Sequence, residues 1–214
     1  MSGILKVGGS ELINDNGGSG ALQWGSGVPS GSIVQVQSTQ YGTGASETGD
    51  MTSLANNTNY VVQASGNTSG GSQSGILDVD ITPKIYGSKI WLQCHWFGEM
   101  AIDNPTDVVF FFWRNTSKLA SGVTANSPTV GEKGISMATR TYPSSNADST
   151  PEILFMQYFD THGQTQSEIN AGTSITYKLG FAVNAGVTQI TTNRTIGGTH
   201  EVGVSSICAI ELAP

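Results

Sequence analysis

The sequence predicts an all-β fold, an antiparallel β-sandwich, and three observations predict it. Short runs alternate apolar and polar side chains at period two, the mark of a strand with one buried face. Turn-forming residues separate these runs at the spacing of a sandwich, and 28 glycines supply many of the turns. Hardly any segment carries a helical period.

Taken in order, residues 1–31 stand apart. Ile4, Leu5 and Val7 form one short strand-like run, followed by Gly-rich stretches that only Leu22 and Trp24 interrupt with side chains able to anchor. Such a segment does not bury enough surface to pack alone. It is expected to be an extended arm ordered against a neighbour. A sandwich domain over 32–214 follows. It opens with a strand at 33–37; the polar stretch 38–75 is too long for an ordinary loop and is expected to hold one or two short strands. Residues 76–81 alternate with a clear buried face. Residues 89–97 carry Ile90, Leu92, Cys94 and Trp96 on one face and Trp91, Gln93, His95 and Phe97 on the other. Residues 108–113 and 153–159 are apolar on both faces. Weaker or Thr-rich strands are expected at 135–141 and 189–196 and a cleanly alternating one at 175–183, and 204–212 closes the chain.

An antiparallel strand usually leaves its second face polar. Strands 90–97, 108–113 and 153–159 do not, so a monomer with nothing over them would expose a large aromatic patch. Either a second subunit covers Trp91, His95, Phe97, Phe111 and Trp113, or the 38–75 excursion does. The first is the more economical expectation and implies a symmetric assembly.

Composition narrows the function classes. Charged residues make up only 12% of the chain and the net charge is −7. The nine Lys and Arg are scattered, which argues against nucleic acid and against anionic membrane. No run approaches the roughly 18 apolar residues of a membrane-spanning helix. A polar, uncharged surface suits carbohydrate partners, and equally suits a plain Gly-rich β architecture. The segment from Met1 to Lys6 lacks the apolar core of a signal peptide, so synthesis in a cytoplasm without standard export is expected. A disulfide between Cys94 and Cys208 is open to the chain, but that setting disfavours it and two buried free thiols are expected.

Catalytic and metal-binding patterns are weak along the chain. Asp78 and Asp80 share a strand face but two carboxylates are too few for a cation; Glu99 and Asp103 flank a loop and read as solvated. His95, His162 and His200 lie far apart with no zinc-ligand spacing. Cys94 and His95 point to opposite faces and form no nucleophile–base pair. No phosphate-binding or hydrolase motif occurs. Neither an enzyme nor a cofactor is expected.

The run Gly31-Ser32-Ile33-Val34-Gln35-Val36-Gln37, then Asp80-Ile81-Thr82-Pro83, Gly87-Ser88-Lys89-Ile90-Trp91-Leu92, Leu154-Phe155, 172–178 and the closing 204–212 resemble, in that order, a family of marine phage virion proteins. These are the tail-fibre-like and capsid-fibre-like or decoration proteins of cyanophages and pelagiphages. The resemblance implies a jelly-roll-like head, a homotrimer, and location on the virion. The arm, through Ile4, Leu5, Val7, Leu22 and Trp24, would bind other virion proteins, and the head would attach to the host surface. A host glycan would meet loops within 38–75, 98–107, 115–130 and 141–150. A capsid-cementing protein without host contact and a carbohydrate-active depolymerase are the alternatives.

Overall fold

A computed structural model describes residues 4–7, 9–14, 23–24, 27–42, 48–56, 58–102, 108–119, 134–138, 151–183, 187–196 and 201–214. Leu22, Asp103 and His200 lie outside the described residues, as do most of the proposed contact loops at 103–107, 120–130 and 141–150. The fold is all-β, with two curled antiparallel sheets.

The N-terminal segment is a small antiparallel meander rather than an extended arm: β1 (Ile4–Val7) pairs with β2 (Ser10–Asn14), and β2 with β3 (Gln23–Trp24). Gly9 at φ 86° turns the first hairpin, a conformation that costs glycine little. The backbones of Ile13 and Trp24 are register partners, and Leu5 is exposed. Where this segment joins the head, Gly31 N–H donates to Ala213 O and Ala213 N–H to Ser32 O, tying it to the last strand.

The head is built from β4 (Ile33–Tyr41), β5 (Gly49–Thr52), β6 (Thr58–Val61), β7 (Asp78–Ile81), β8 (Lys89–Ile102), β9 (Val108–Arg114), β10 (Ser117–Lys118), β11 (Ser136–Ala138), β12 (Glu152–Asp160), β13 (Ile175–Val183), β14 (Val187–Thr192) and β15 (Ser205–Leu212), with one short helix, α1 (Gln166–Asn170). Strand β4 runs four residues past the expected end because its polar half pairs with β15, and β8 continues to Ile102 beside β14. Residues 38–41 and 98–102 are therefore strand, not loop. Sequence reading missed α1, although Thr165 and Glu168 form a capping box at its start.

In sheet I, β13 pairs with β9 on one side and with β6 and β7 in succession on the other; β10 and β11 share the far side of β9. In sheet II, β12 pairs with β8, β8 with β15 and β14, β15 with β4, and β14 with β5. Each sheet thus has four rows, and every pairing between these named strands is antiparallel. Numbering the rows in chain order, with β4 first and β15 eighth, sheet II reads 1-8-3-6 and sheet I reads 2-7-4-5. That interleaving of consecutive strands between two sheets is the jelly-roll order.

The core lies between the sheets. Ile90, Leu92, Cys94 and Trp96 of β8 and Ile207 and Ala209 of β15 face Phe110 and Phe112 of β9 and Tyr177, Leu179 and Phe181 of β13. The Trp96 and Phe110 rings pack tilted at 5.1 Å, and Trp96 Nε1–H donates to Thr192 Oγ1. Each aromatic of this size buries about 150–250 Å², so the even residues of β8 carry much of the head's stability.

Candidate functional site

Alternation puts the odd residues of β8 on the outer face of sheet II, and the register extends them into transverse rows. One row is Val36, Ile210, Trp91 and Phe159; the next is Ser38, Cys208, Gln93 and Gln157; the third is Gln40, Ser206, His95 and Phe155. Phe97 then stands beside Ile153. The first row is apolar on all four strands, the second offers amides, a hydroxyl and a thiol. Cross-strand rings stack: Trp91 on Phe159 at 5.6 Å and His95 on Phe155 at 4.6 Å, each within 17° of parallel.

This face is only partly covered. Ile153, Phe155 and Phe159 are 60%, 74% and 54% exposed. Trp91, His95 and Phe97 are half-buried; the Phe97 ring lies so close to Gly203 that a Cβ there would overlap it. Val202 and Val204 extend the apolar surface beside it. A cavity of about 580 Å³ opens against His95, Phe155, Met156 and Gln157 and reaches Ile135 and Ser136 at the end of sheet I. Lining by three consecutive residues of β12 means that the cavity touches both faces of that strand, and therefore its edge.

The outer face of sheet I was expected to need the same cover, and here the expectation for Phe111 and Trp113 is corrected. Both are buried within the chain, at 0% and 6% exposure. Residues 69–75 fold back over β9: Gly70 N–H donates to Asn59 O, and Gly71 sits on the Trp113 ring. Lys178 Nζ straps this segment by donating to Gly71 O (2.9 Å) and Gln73 O (2.8 Å). Trp113 Nε1–H donates to Tyr60 O, and Lys118 Nζ stands 4.0 Å from the Phe111 ring centroid. The 38–75 excursion, the alternative cover, is the one used. Among the expected interface residues, Trp91, His95 and Phe97 remain half-buried on the outer face of sheet II.

Of the expected arm anchors, Ile4, Leu5 and Val7 sit on β1 and Trp24 on β3. The two cysteines cannot bridge: Cys94 pairs with Ile207 and points into the core, whereas Cys208, on the neighbouring strand, points outward. Burial pushes both thiols up, away from the reactive thiolate.

A buried polar cluster at one end of the sandwich escaped sequence reading. Fully buried Glu211 accepts from Lys84 N–H, Ile85 N–H, Ser88 Oγ–H and Gln35 Nε2–H at 2.6–3.0 Å. Ser88 Oγ also lies 3.3 Å from His162 Nε2, while His162 Nδ1 accepts from Gln164 N–H. With Nδ1 accepting, the neutral ring carries its proton on Nε2 and donates to Ser88, which donates in turn to Glu211. The proton order is thus the reverse of a serine nucleophile activated by a histidine base. Nearby, Asp160 holds Arg114 at 3.0 Å and accepts from Tyr177 Oη–H at 2.6 Å. Burial and the Asp160 carboxylate push the Tyr177 hydroxyl well up; burial holds His162 below its ordinary value.

The carboxylates weighed earlier are separately engaged. Asp78 accepts from Gly75 N–H, Asp80 from Thr176 Oγ1–H, and buried Glu99 from Ile196 N–H. Burial raises Asp78. Among the described residues, no three His, Cys, Asp or Glu side chains group as a metal ion would need. Comparison with protein-family models gave no match, and comparison with curated proteins gave none either.

Proposed function

We propose that this chain is a non-enzymatic structural protein of a virus particle, of the phage tail-fibre, head-fibre or decoration kind, whose head assembles as a homotrimer through sheet II. One observation carries the assembly part: Trp91, His95, Phe97, Ile153, Phe155 and Phe159 gather on one face of a rigid sandwich whose other aromatic face is already covered. Soluble monomers rarely leave such a patch open. A protein surface suits this face better than a sugar does, because each stacked ring spends one side on its neighbour. The virion part rests on the sequence resemblance; a jelly roll is compatible with it but serves many functions. In this reading residues 1–31 bind the particle, and loops of the head meet the host surface, where threefold repetition strengthens weak contacts.

Native mass spectrometry of the full chain tests the assembly: three times the 22.3 kDa chain mass is expected. A clean monomer at about 50 µM, well above the micromolar range of ordinary association, overturns it. Imaging of labelled particles then separates a fibre from a capsid-cementing protein. Release of reducing ends from host polysaccharide, abolished by an Asp or Glu substitution, would instead establish a depolymerase.

A further inference from the structure

We infer that the subunits join edge to edge, β12 of one copy pairing with β4 of the next, so that sheet II runs on through the assembly. The inference rests on the assembly reading above and specifies how that assembly is made.

An exposed sheet edge offers unpaired N–H and C=O groups to any passing strand, and proteins usually blunt it with short strands, Lys, Pro or bulges. Sheet I is blunted: its edge rows are the short strands β6, β7, β10 and β11, and β10 carries Lys118. Among the described residues, sheet II is not. Its edge strands β4 and β12 are nine residues each, with no Lys or Pro in either, and the four-residue β5 continues the β4 row. β12 keeps an unbroken register with β8 over all nine pairs, and the single register shift at β4 falls near its first residues. Among the described residues, no further strand pairs with either edge.

Three features make a second copy the occupant. First, direction: strands alternate across the four rows, so β12 runs opposite to β4, and a copy repeated edge to edge meets β12 with an antiparallel β4. Second, surface: Ile33 and Val36 on β4 and Ile153, Phe155 and Phe159 on β12 are all more than half exposed. The apolar row from Val36 to Phe159 would continue into the next subunit's Val36. Third, charge: β4 has no charged residue, and the two on β12, Glu152 and Asp160, are buried at its ends. A nine-residue pairing is about 30 Å long. With its exposed side chains it covers on the order of 1,000 Å², the lower bound for a stable interface, and a closed ring holds each subunit twice. A twofold β12–β12 pairing would leave β4 open. The head-to-tail arrangement uses both edges and gives a ring where the rotation between copies closes.

The test uses two full-length variants, Phe155→Lys on one edge and Val36→Lys on the other, both at exposed positions, with folding checked by circular dichroism. Each is expected to be monomeric where the wild type is trimeric. Mixed in equal amounts at about 100 µM, above the micromolar affinity of an ordinary single contact, they are expected to form a heterodimer and nothing larger, because one intact β12–β4 junction is recovered. Amide exchange in 152–160 and 33–41 should be at least about tenfold slower in the wild-type assembly than in either monomer, reporting backbone pairing. If Phe155→Lys dissociates while Val36→Lys does not, if the mixture stays monomeric, or if exchange in the two strands is unchanged, the edge-to-edge mode is overturned. A wild-type trimer unaffected by either variant overturns this mode and leaves the assembly reading standing; a monomeric wild type overturns both.

Discussion

Removing Glu211 is the sharpest probe of how the head holds together. Its carboxylate, with no solvent exposure, is the common acceptor for two backbone N–H groups, a serine hydroxyl and a glutamine amide. These donors come from the connection between β7 and β8 and from β4, so one side chain on the last strand fastens two other parts of the chain. Glu211→Ala leaves all four donors facing a hole. Each buried donor left unmet costs about 1–3 kcal/mol, but water entering the hole recovers part, and breaking a buried charged site typically costs about 3–5 kcal/mol in total. At this chain length each kcal/mol moves the melting temperature by about 2–4 °C, so a drop of about 6–20 °C is expected. Glu211→Gln keeps the shape. Its NH2 fits only at the Oε2 position, where Gln35 can turn its own amide to accept, at the expense of the Gln35–Thr82 bond. That variant should lose only about 1–2 kcal/mol, mostly charge assistance. Urea titration at one fixed protein concentration, followed by Trp fluorescence, reads both, since association would otherwise shift the midpoints. If the alanine variant is within about 0.5 kcal/mol of wild type, as for an ordinary surface change, or the glutamine variant is the worse of the two, the fastening role is wrong.

Stability should fall on acidification through His162. Burial lowers its folded value from 6.5, so below about that pH the unfolded chain binds the proton and the folded one resists it; Nδ1 is moreover occupied by the Gln164 N–H. The contribution is complete above 6.5 and is lost as pH falls toward the folded value, so the pH 5 to pH 7.5 difference in urea midpoint should shrink in His162→Gln; an unchanged difference refutes the assignment. Lys178→Met should release residues 69–75, with faster amide exchange there and a loss of about 1–3 kcal/mol from unmet carbonyls and exposed Trp113; unchanged exchange in that segment refutes the strap. Gly98→Ala should fail to fold or lose several kcal/mol, because its Cβ would overlap Thr191 O and the Trp96 ring; a wild-type melting curve would refute that packing.

What the sequence made legible was periodic. In β8 the even and odd residues sort into core and outer face as read, and β13 and β15 follow the same rule. Patterns of this kind survive because alternation is a property of the strand itself. What it hid was set by distant partners. The two-sided apolarity of β9 was plain, yet nothing in Ser69-Gly70-Gly71-Ser72 indicates that this stretch covers Trp113; the cover depends on a lysine 107 residues away. Likewise Ser88, His162 and Glu211 meet across 74 and 123 residues with no local motif. For the outer face of sheet II the aromatics of β8 were recognised, but the contribution of Val36 and Ile210 to the same row needed the register. The expected arm turned into a meander because Leu12 and Ile13 form a strand that Gly-rich surroundings disguised.

The two sheets meet the same difficulty in opposite ways, and the contrast points to where the molecule acts. Sheet I spends a long excursion, a buried lysine and a row of tight glycine contacts on hiding Phe111 and Trp113, and ends in strands too short to recruit another chain. Sheet II has comparable apolar residues on its outer face and two full-length edges, yet among the described residues nothing equivalent lies over Phe155 or Phe159. Were these rings incidental, replacing them by polar residues would cost the fold almost nothing, since most of their surface is already in water. Retaining apolar side chains at both edges while excluding Lys and Pro is the opposite of what protects a solitary sandwich from sticking to its copies. On the proposed assembly reading, this physical asymmetry marks sheet II as the surface a second copy would complete, with sheet I left to hold the subunit rigid.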